Sequence, residues 1–362
     1  MSMMRNVRVG RHHVTPRALL CGTALACTLL APRIAAAADP VYDPYAILGT
    51  FNAIVLNNLT VFTDVEGRVI TQAIDGTLNS APQFYSAGGR TTTSPTLTDT
   101  SNPNPATNTT TFTSVNAITF NNNVNSITSN GGIDLLNMPR SIPVTANGGN
   151  TVTNTPTFTM APFQTALNGL QTSLAALTAN NSTTVTGGNT LNFVLTTVNS
   201  QNTYVFNVNA SDLASVSFID FTGTAAANSS VVINVVGTTL TTSAQISDSG
   251  GNGAPLVLDG TLLANDVLWN FENATSVNLN GQWDGSILAG GASVASGSNN
   301  NIQGSVYAYN LSIGRELHNY TYQPPTPPTT PPTTPPPVPE PASMAVLATA
   351  IAGLAGLRRR RG

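Results

Sequence analysis

Four short strings constrain this chain more than any other feature: EGRVIT at 66–71, DGTLLA at 259–264, DGSILA at 284–289 and QGSVYA at 303–308. Each reads acid or amide, glycine, small or polar residue, aliphatic, a free position and a small residue. The last three glycines lie 25 and 19 residues apart. Steps of that size suit stacked coils, in which a short strand lies on its neighbour and glycine makes the corner. A coil buries its inward positions only when another coil covers it, which explains the repetition. The expected fold class is therefore mainly β, a β-solenoid resembling a β-helix.

The runs between these strings support strands. FNAIVLNNLTVF, TVTGGNTLNFVLTTV, TYVFNVNA and SSVVINVVGTTL are β-branched, partly alternating and bounded by Asn and Gly. One segment differs. In TMAPFQTALNGLQTSLAALTAN, residues Phe163, Leu167, Leu170, Leu174 and Leu177 form a single helical stripe. Thr159 is the expected cap, with Pro162 in the first turn, and the amphipathic helix is expected to pack alongside the strands. Residues 91–132 are Thr/Asn/Ser-rich and read as a low-complexity surface excursion, with strand character near Phe112 to Phe120. Threonine rows can form ice-binding faces, but that needs a regular T-x-T once per coil, which this stretch does not show.

The two ends are addresses. Residues 1–38 give a basic n-region, an apolar h-region and IAAAADP at the cleavage site, a signal peptide for Sec-type export. Both cysteines, Cys21 and Cys27, fall inside it, so the mature body has neither disulfide nor thiolate. At the other end, 324–338 is a Pro/Thr linker that favours an extended polyproline spacer. After it come Pro339-Glu340-Pro341, the uncharged run 342–357 and Arg358, Arg359, Arg360 and Arg361. The apolar run spans about 24 Å as a helix, slightly short of a ~30 Å hydrocarbon core, and the arginines can snorkel. They are expected on the cytoplasmic side of the inner membrane, with the body, 43–322, outside.

Charge narrows the function. The chain has no lysine, and between Asp39 and Gln323 four arginines face fifteen carboxylates, a formal charge of −11. Such a surface has no basic stripe for phosphate backbones, and nucleic acid is excluded as a partner. His318 is the only histidine beyond the leader, so a Ser-His-Asp triad would have to use it. Its expected role, with Glu316, is hydrogen bonding that closes the last coil. A glycosidase needs only two carboxylates and remains the alternative reading. Asp64 and Glu66 fall near one strand, where an ion pair to Arg68 is the structural expectation. Asp259 and Asp284 can stack coil on coil, and with Asp248 they are the candidate Ca²⁺ ligands. No catalytic residue is assigned.

These residues carry two resemblances. The tail 339–361 resembles the PEP-CTERM sorting signal of Gram-negative bacteria, which implies exosortase as a partner that removes a transient anchor. The body resembles the choice-of-anchor A family. The opening match is Tyr45-Ala-Ile-Leu-Gly49, Asn57-Asn-Leu-Thr-Val-Phe62 and Asp64-Val-Glu-Gly-Arg-Val69. The closing match is Trp283-Asp-Gly-Ser-Ile-Leu-Ala289, Ile302-Gln-Gly-Ser-Val-Tyr-Ala308 and Gly314-Arg-Glu-Leu-His-Asn-Tyr320. The chain departs from that pattern at ITQAIDG after Val69 and at Gly290-Gly291. The signature residues Asp64, Glu66, Gly67, Arg68, Asp284, Gly285, Gly304, Glu316 and His318 are expected to be structural. The resemblance implies a surface role without a defined ligand, and the expected function is that of an exported, non-catalytic protein that adheres to or scaffolds extracellular polysaccharide or matrix protein.

Overall fold

The computed structural model describes residues 40–74, 83–84, 96–102, 104–105, 109–111, 115–122, 127–129, 132–135, 144–146, 152–153, 159–246, 257–258, 261–262, 264–298 and 300–325. The signal peptide at 1–38, most of the linker and the anchor helix expected at 342–357 lie outside these residues. Among the described residues no helix is long and apolar enough to cross a membrane.

The body is mainly β and its long sheets are parallel. One path of parallel pairs runs through Thr203–Asn209, Ser230–Val236, Val267–Asn270, Ser286–Ser296, Val306–Ile313, Ala53–Val61, Val69–Ile74, Val115–Asn122, Gly132–Leu135 and Val152–Thr153. A second joins Trp283–Asp284, Ile302–Gln303, Glu316–His318, Asp64–Val65, Gln83–Phe84, Ile127–Ser129 and Val144–Ala146. Chain order breaks at one point in each. Ala53–Val61 pairs with Val306–Ile313 on one side and Val69–Ile74 on the other, so the first strand of the body is set against one of the last. The opening and closing motifs of the sequence are thus neighbours in space. A smaller sheet contains Thr183–Thr186, Thr190–Leu195, Phe218–Gly223 and Gln245–Ile246.

Residues 91–132 do not simply loop away. Val115–Asn122 pairs with Val69–Ile74, and Ile127–Ser129 pairs with Gln83–Phe84, so this stretch supplies strands to both long sheets. Its alternating β-branched residues suit that role despite the low complexity.

Strand alternation divides the core in two. Ala53, Val55, Ile233, Trp269, Ile287, Ala289, Val306 and Ala308 point into the main core. Trp269 and Trp283 meet there at 4.6 Å between ring centroids. The intervening Ile54, Ile70, Val232, Leu268, Leu288 and Tyr307 point to the other side, under the helices. Strands covered on both faces read as near-continuous apolar runs, as AIV, VVI and SILA do.

That cover is α2, Ala161–Ala175, whose Phe163, Leu167, Leu170 and Leu174 are buried as the stripe predicts. Leu177 lies past its end and is partly buried. The expected Thr159 cap does not form. Met160 takes the cap position with helical backbone angles and no side-chain bond. Polar anchors compensate: Gln171 Nε2 donates to the Leu288 carbonyl at 3.2 Å and its Oε1 accepts from Gly290 N at 3.1 Å. Three asparagines, Asn207, Asn234 and Asn270, match in register on neighbouring strands, and the last two lie beneath the helix end. Asn234 donates to the Leu174 carbonyl at 2.9 Å and Asn270 to that of Gln171 at 2.9 Å, occupying late helical acceptors.

Where one helix was expected, the described residues hold three. α1, Pro44–Thr50, is capped by Asp43, which accepts from Tyr45 N, and it buries Ile47 and Leu48. α3, Ala210–Ala214, is a single turn; the Thr242 hydroxyl donates to its Leu213 carbonyl at 2.8 Å. The free side of Thr203–Asn209 is closed by Asn180, whose Oδ1 accepts from Val205 N and whose Nδ2 donates to the Thr203 carbonyl. A side chain thereby mimics one more strand and blunts the edge.

Candidate functional site

The long strands bend where their registers shift, between Val55 and Asn58 and between Ala289 and Ser293. Beyond the bend the helices no longer cover them, and the outward positions become polar. Register pairing then builds two rows across five strands. Thr239, Ser276, Ser293, Asn310 and Asn58 form one; Thr241, Asn278, Ala295, Ser312 and Thr60 form the other. Between them Leu240, Val277, Val294, Leu311 and Leu59 point inward and are buried. Strand geometry sets about 4.8 Å between neighbours within a row and about 6.7 Å between rows.

None of the ten positions carries a charge. Hydrogen bonds along the array hold its side chains in place. Asn310 Nδ2 donates to Ser293 Oγ at 2.9 Å, Asn57 Nδ2 to Asn310 Oδ1 at 2.8 Å and Asn278 Nδ2 to Thr241 Oγ1 at 3.3 Å. The array is a partly exposed sheet of hydroxyls and amides, interrupted at one position by Ala295. Sequence reasoning missed it because it sought T-x-T within 91–132. The available signal was a small polar residue, Leu or Val, then a second small residue, recurring as NLT, TLT, SVN, SVA and NLS at 58, 239, 276, 293 and 310.

The signature residues form a separate seam along the short parallel strands of the second sheet, part buried and part half-exposed. Asp284 pairs with Gln303, and Gln303 with His318, along the second sheet. His318 Nδ1 is 2.9 Å from Gln303 Oε1, and its Nε2 is 2.7 Å from Glu316 Oε2. Glu66 Oε2 accepts from Asn319 N at 3.1 Å. Asp64 is the register partner of Glu316. Arg68 is half-buried, and burial lowers its pKa. Asp284 and Gln303 are fully buried and His318 nearly so, at 9% exposure. Burial lifts the Asp284 carboxyl to about 7, partly offset by the nearby Gln282 amide, and neither carboxyl oxygen has a well-formed hydrogen bond.

Asn52, absent from the sequence-based set, ties this seam together. Its Nδ2 donates to the Gly304 carbonyl at 2.8 Å and the His318 carbonyl at 3.0 Å, and its Oδ1 accepts from Gly67 N at 3.1 Å. Gly67 lies so close that a Cβ there would fall 2.3 Å from Asn52 Cβ. Gly285 has φ +101°, and a Cβ on it would meet Val267 and Trp269 side chains. Asp284, Gln303 and His318 are thereby held away from the surface, whereas the Glu316 side chain keeps 36% of its exposure. Of the Ca²⁺ candidates, Asp248 and Asp259 lie outside the described residues. Among the described residues no three His, Cys, Asp or Glu side chains gather into a metal-holding group. The sorting residues Pro339, Glu340, Pro341 and Arg358 to Arg361 also lie outside them.

A mainly β body with long parallel sheets thus pairs its acid and base groups along one sheet and presents an aligned, uncharged polar array on a partly exposed face, as an adhesive surface domain would. The chain belongs to the family described as "Putative Ice-binding-like adhesive domain", which matches residues 44–319. That family, and not clearly choice-of-anchor A, is the one its body matches. Residues 337–361 match the PEP-CTERM protein-sorting motif.

Among solved structures, an ice-binding protein from the Antarctic ascomycete Antarctomyces psychrotrophicus aligns at 15% identity and TM-score 0.38, covering 76% of this chain and 96% of that one. An ice-binding protein from an Antarctic biological consortium aligns at 13% identity and TM-score 0.35, covering 78% and 90%. A glycosylated ice-binding protein from an Arctic yeast aligns at 12% and 0.28, covering 81% and 98%. Scores this low are not a ground for assigning a ligand. No curated protein matches the chain.

Proposed function

We propose that this is an exported, exosortase-sorted adhesin of the cell surface or extracellular matrix, and that it engages its target through the two polar rows. The observation that carries this reading is the register match of Thr239, Ser276, Ser293, Asn310 and Asn58 on successive strands. A repeated lattice of hydroxyls and amides suits a repetitive, hydrogen-bonding target such as an extracellular polysaccharide or a matrix protein. In this reading the solenoid-type body presents the lattice over the buried Leu240, Val277, Val294, Leu311 and Leu59. Membership in an adhesive-domain family points the same way, to binding without catalysis. In this reading the chain is held briefly in the inner membrane, and exosortase then cuts near Pro339 to Pro341.

The test is binding of the processed chain to its host's own extracellular polysaccharide, with collagen and a glycan panel beside it. Replacing Ser293 and Thr241 by Arg should abolish saturable binding while leaving the thermal transition in place. Binding unchanged by both substitutions would move the site elsewhere, and shortening of the polymer would favour the glycosidase alternative. A second reading, ice, is favoured by the family description and the paired rows. Thermal hysteresis that disappears in the same Arg variants would establish it. Ca²⁺ held by Asp248, Asp259 and Asp284 also remains a proposal. A lower melting temperature in chelator supports it, and an unmoved transition rejects it.

A further inference from the structure

A groove of about 610 Å³ runs beside the C-terminal half of α2. Leu170, Leu174, Leu177 and Val232 line it, with Tyr45 and Tyr322, whose ring centroids are 6.0 Å apart at 31°. A second hollow of about 550 Å³ shares Tyr45, Leu170 and Ser173 and continues along α2 to Pro162. From Pro162 to Leu177 the trough is about 22 Å long at the helical rise of ~1.5 Å per residue.

We propose that this groove seats the chain's own Pro/Thr segment, residues 326–338. The chain enters that segment from the groove itself: Pro324 and Pro325 are part of the lining. The point of exit is fixed, because Tyr322 is buried and Gln323 N donates to the Asn265 carbonyl at 2.8 Å. Residues 326–338 read TPPTTPPTTPPPV, without a single charge. A polyproline II strand presents pyrrolidine rings to apolar and aromatic walls and keeps its carbonyls free for donors, and aromatic-lined grooves recognise it for that reason. The exposed rim supplies donors in Ser200 and Gln201. At ~3.1 Å per residue, about seven residues fill the trough, fewer than the segment contains. Attachment at Pro325 makes the encounter intramolecular, so a weak contact suffices. The spacer then reaches less far from the body than its full extended length of roughly 40 Å.

Engineered thiols test this. In the full chain, Cys21→Ser and Cys27→Ser remove all native thiols. Ser173→Cys, on the exposed groove rim, is combined with Thr329→Cys; a control combines Thr241→Cys on the polar face with Thr329→Cys. Disulfide formation under mild oxidation is followed by non-reducing electrophoresis and peptide mapping, in variants whose thermal transition is unchanged. The 173/329 pair is expected to close at least about tenfold faster than the 241/329 pair. Equal rates, or faster closure in the control, overturn the proposal. So does failure of 173/329 to close while an added glycan shields Ser173→Cys from a thiol reagent, which would give the groove to that ligand.

Discussion

The side chain of Asn52 and the backbone of Gly304 are joined by a 2.8 Å hydrogen bond across 252 residues of sequence. The same side-chain amide reaches His318 and Gly67, and the Asn52 backbone carbonyl accepts from Val306 N at 2.9 Å. Three segments from the two ends of the body therefore meet on one buried residue. Asn52→Ala should destabilise the fold by about 3 kcal/mol, because it strands buried carbonyls and an N–H without partners. Urea unfolding of the variant measures this. A loss below about 0.5 kcal/mol would mean that the corners find other partners.

Asp284 sets a pH dependence of definite sign. Burial raises its native pKa from the ordinary 3.8 to about 7, so the native state holds a proton that the unfolded chain releases at lower pH. Stability should therefore fall as pH rises from about 4 to about 7 and level off above that, by at most on the order of 4 kcal/mol. Asp284→Asn removes the charged form. It should be more stable than the parent at pH 8 and no more stable at pH 4. A parent whose stability rises over this window would show that a bound cation or a paired donor keeps Asp284 ionised.

Gly285 is the corner next to Asp284. At φ +101° an L side chain is strained, and its Cβ would sit 2.8 Å from Val267 Cγ1 and 2.9 Å from Trp269 Nε1. Gly285→Ala should cost at least about 2 kcal/mol and disturb the Trp269–Trp283 pair, which tryptophan fluorescence would report. An unchanged emission spectrum and melting temperature would show that the corner has room to relax.

These corners were legible because their signal is local. Acid–glycine or amide–glycine dipeptides at 66–67, 284–285 and 303–304 mark the bends, and 3.6-residue spacing marks α2. The pairing of Ala53–Val61 with Val306–Ile313 had no local trace; only the packed body brings them together. The polar rows were hidden for a related reason. Their members mix Thr, Ser, Asn and Ala, and they line up only once Asn58 is set beside Asn310. Asn52 looked like one more polar residue in an asparagine-rich chain, since its three partners lie at corners formed by other segments.

The sorting motif gives the last prediction. Residues 337–361 match the PEP-CTERM motif, and 342–357 carry no charge before four arginines. As a helix the run would span about 24 Å, enough to hold in a bilayer with the arginines drawn to the cytoplasmic interface. Recognition and retention then rest on different residues. Replacing Pro339, Glu340 and Pro341 with Ala should leave the anchor intact and trap the chain in the membrane fraction. Replacing Arg358 to Arg361 with Ser should weaken the stop and let unprocessed chain leave the membrane. Fractionation with mass determination of the C-terminus separates the two. If the Ala variant is released with the same C-terminus as the parent, cleavage does not depend on Pro-Glu-Pro, and the division of roles between motif and arginines fails.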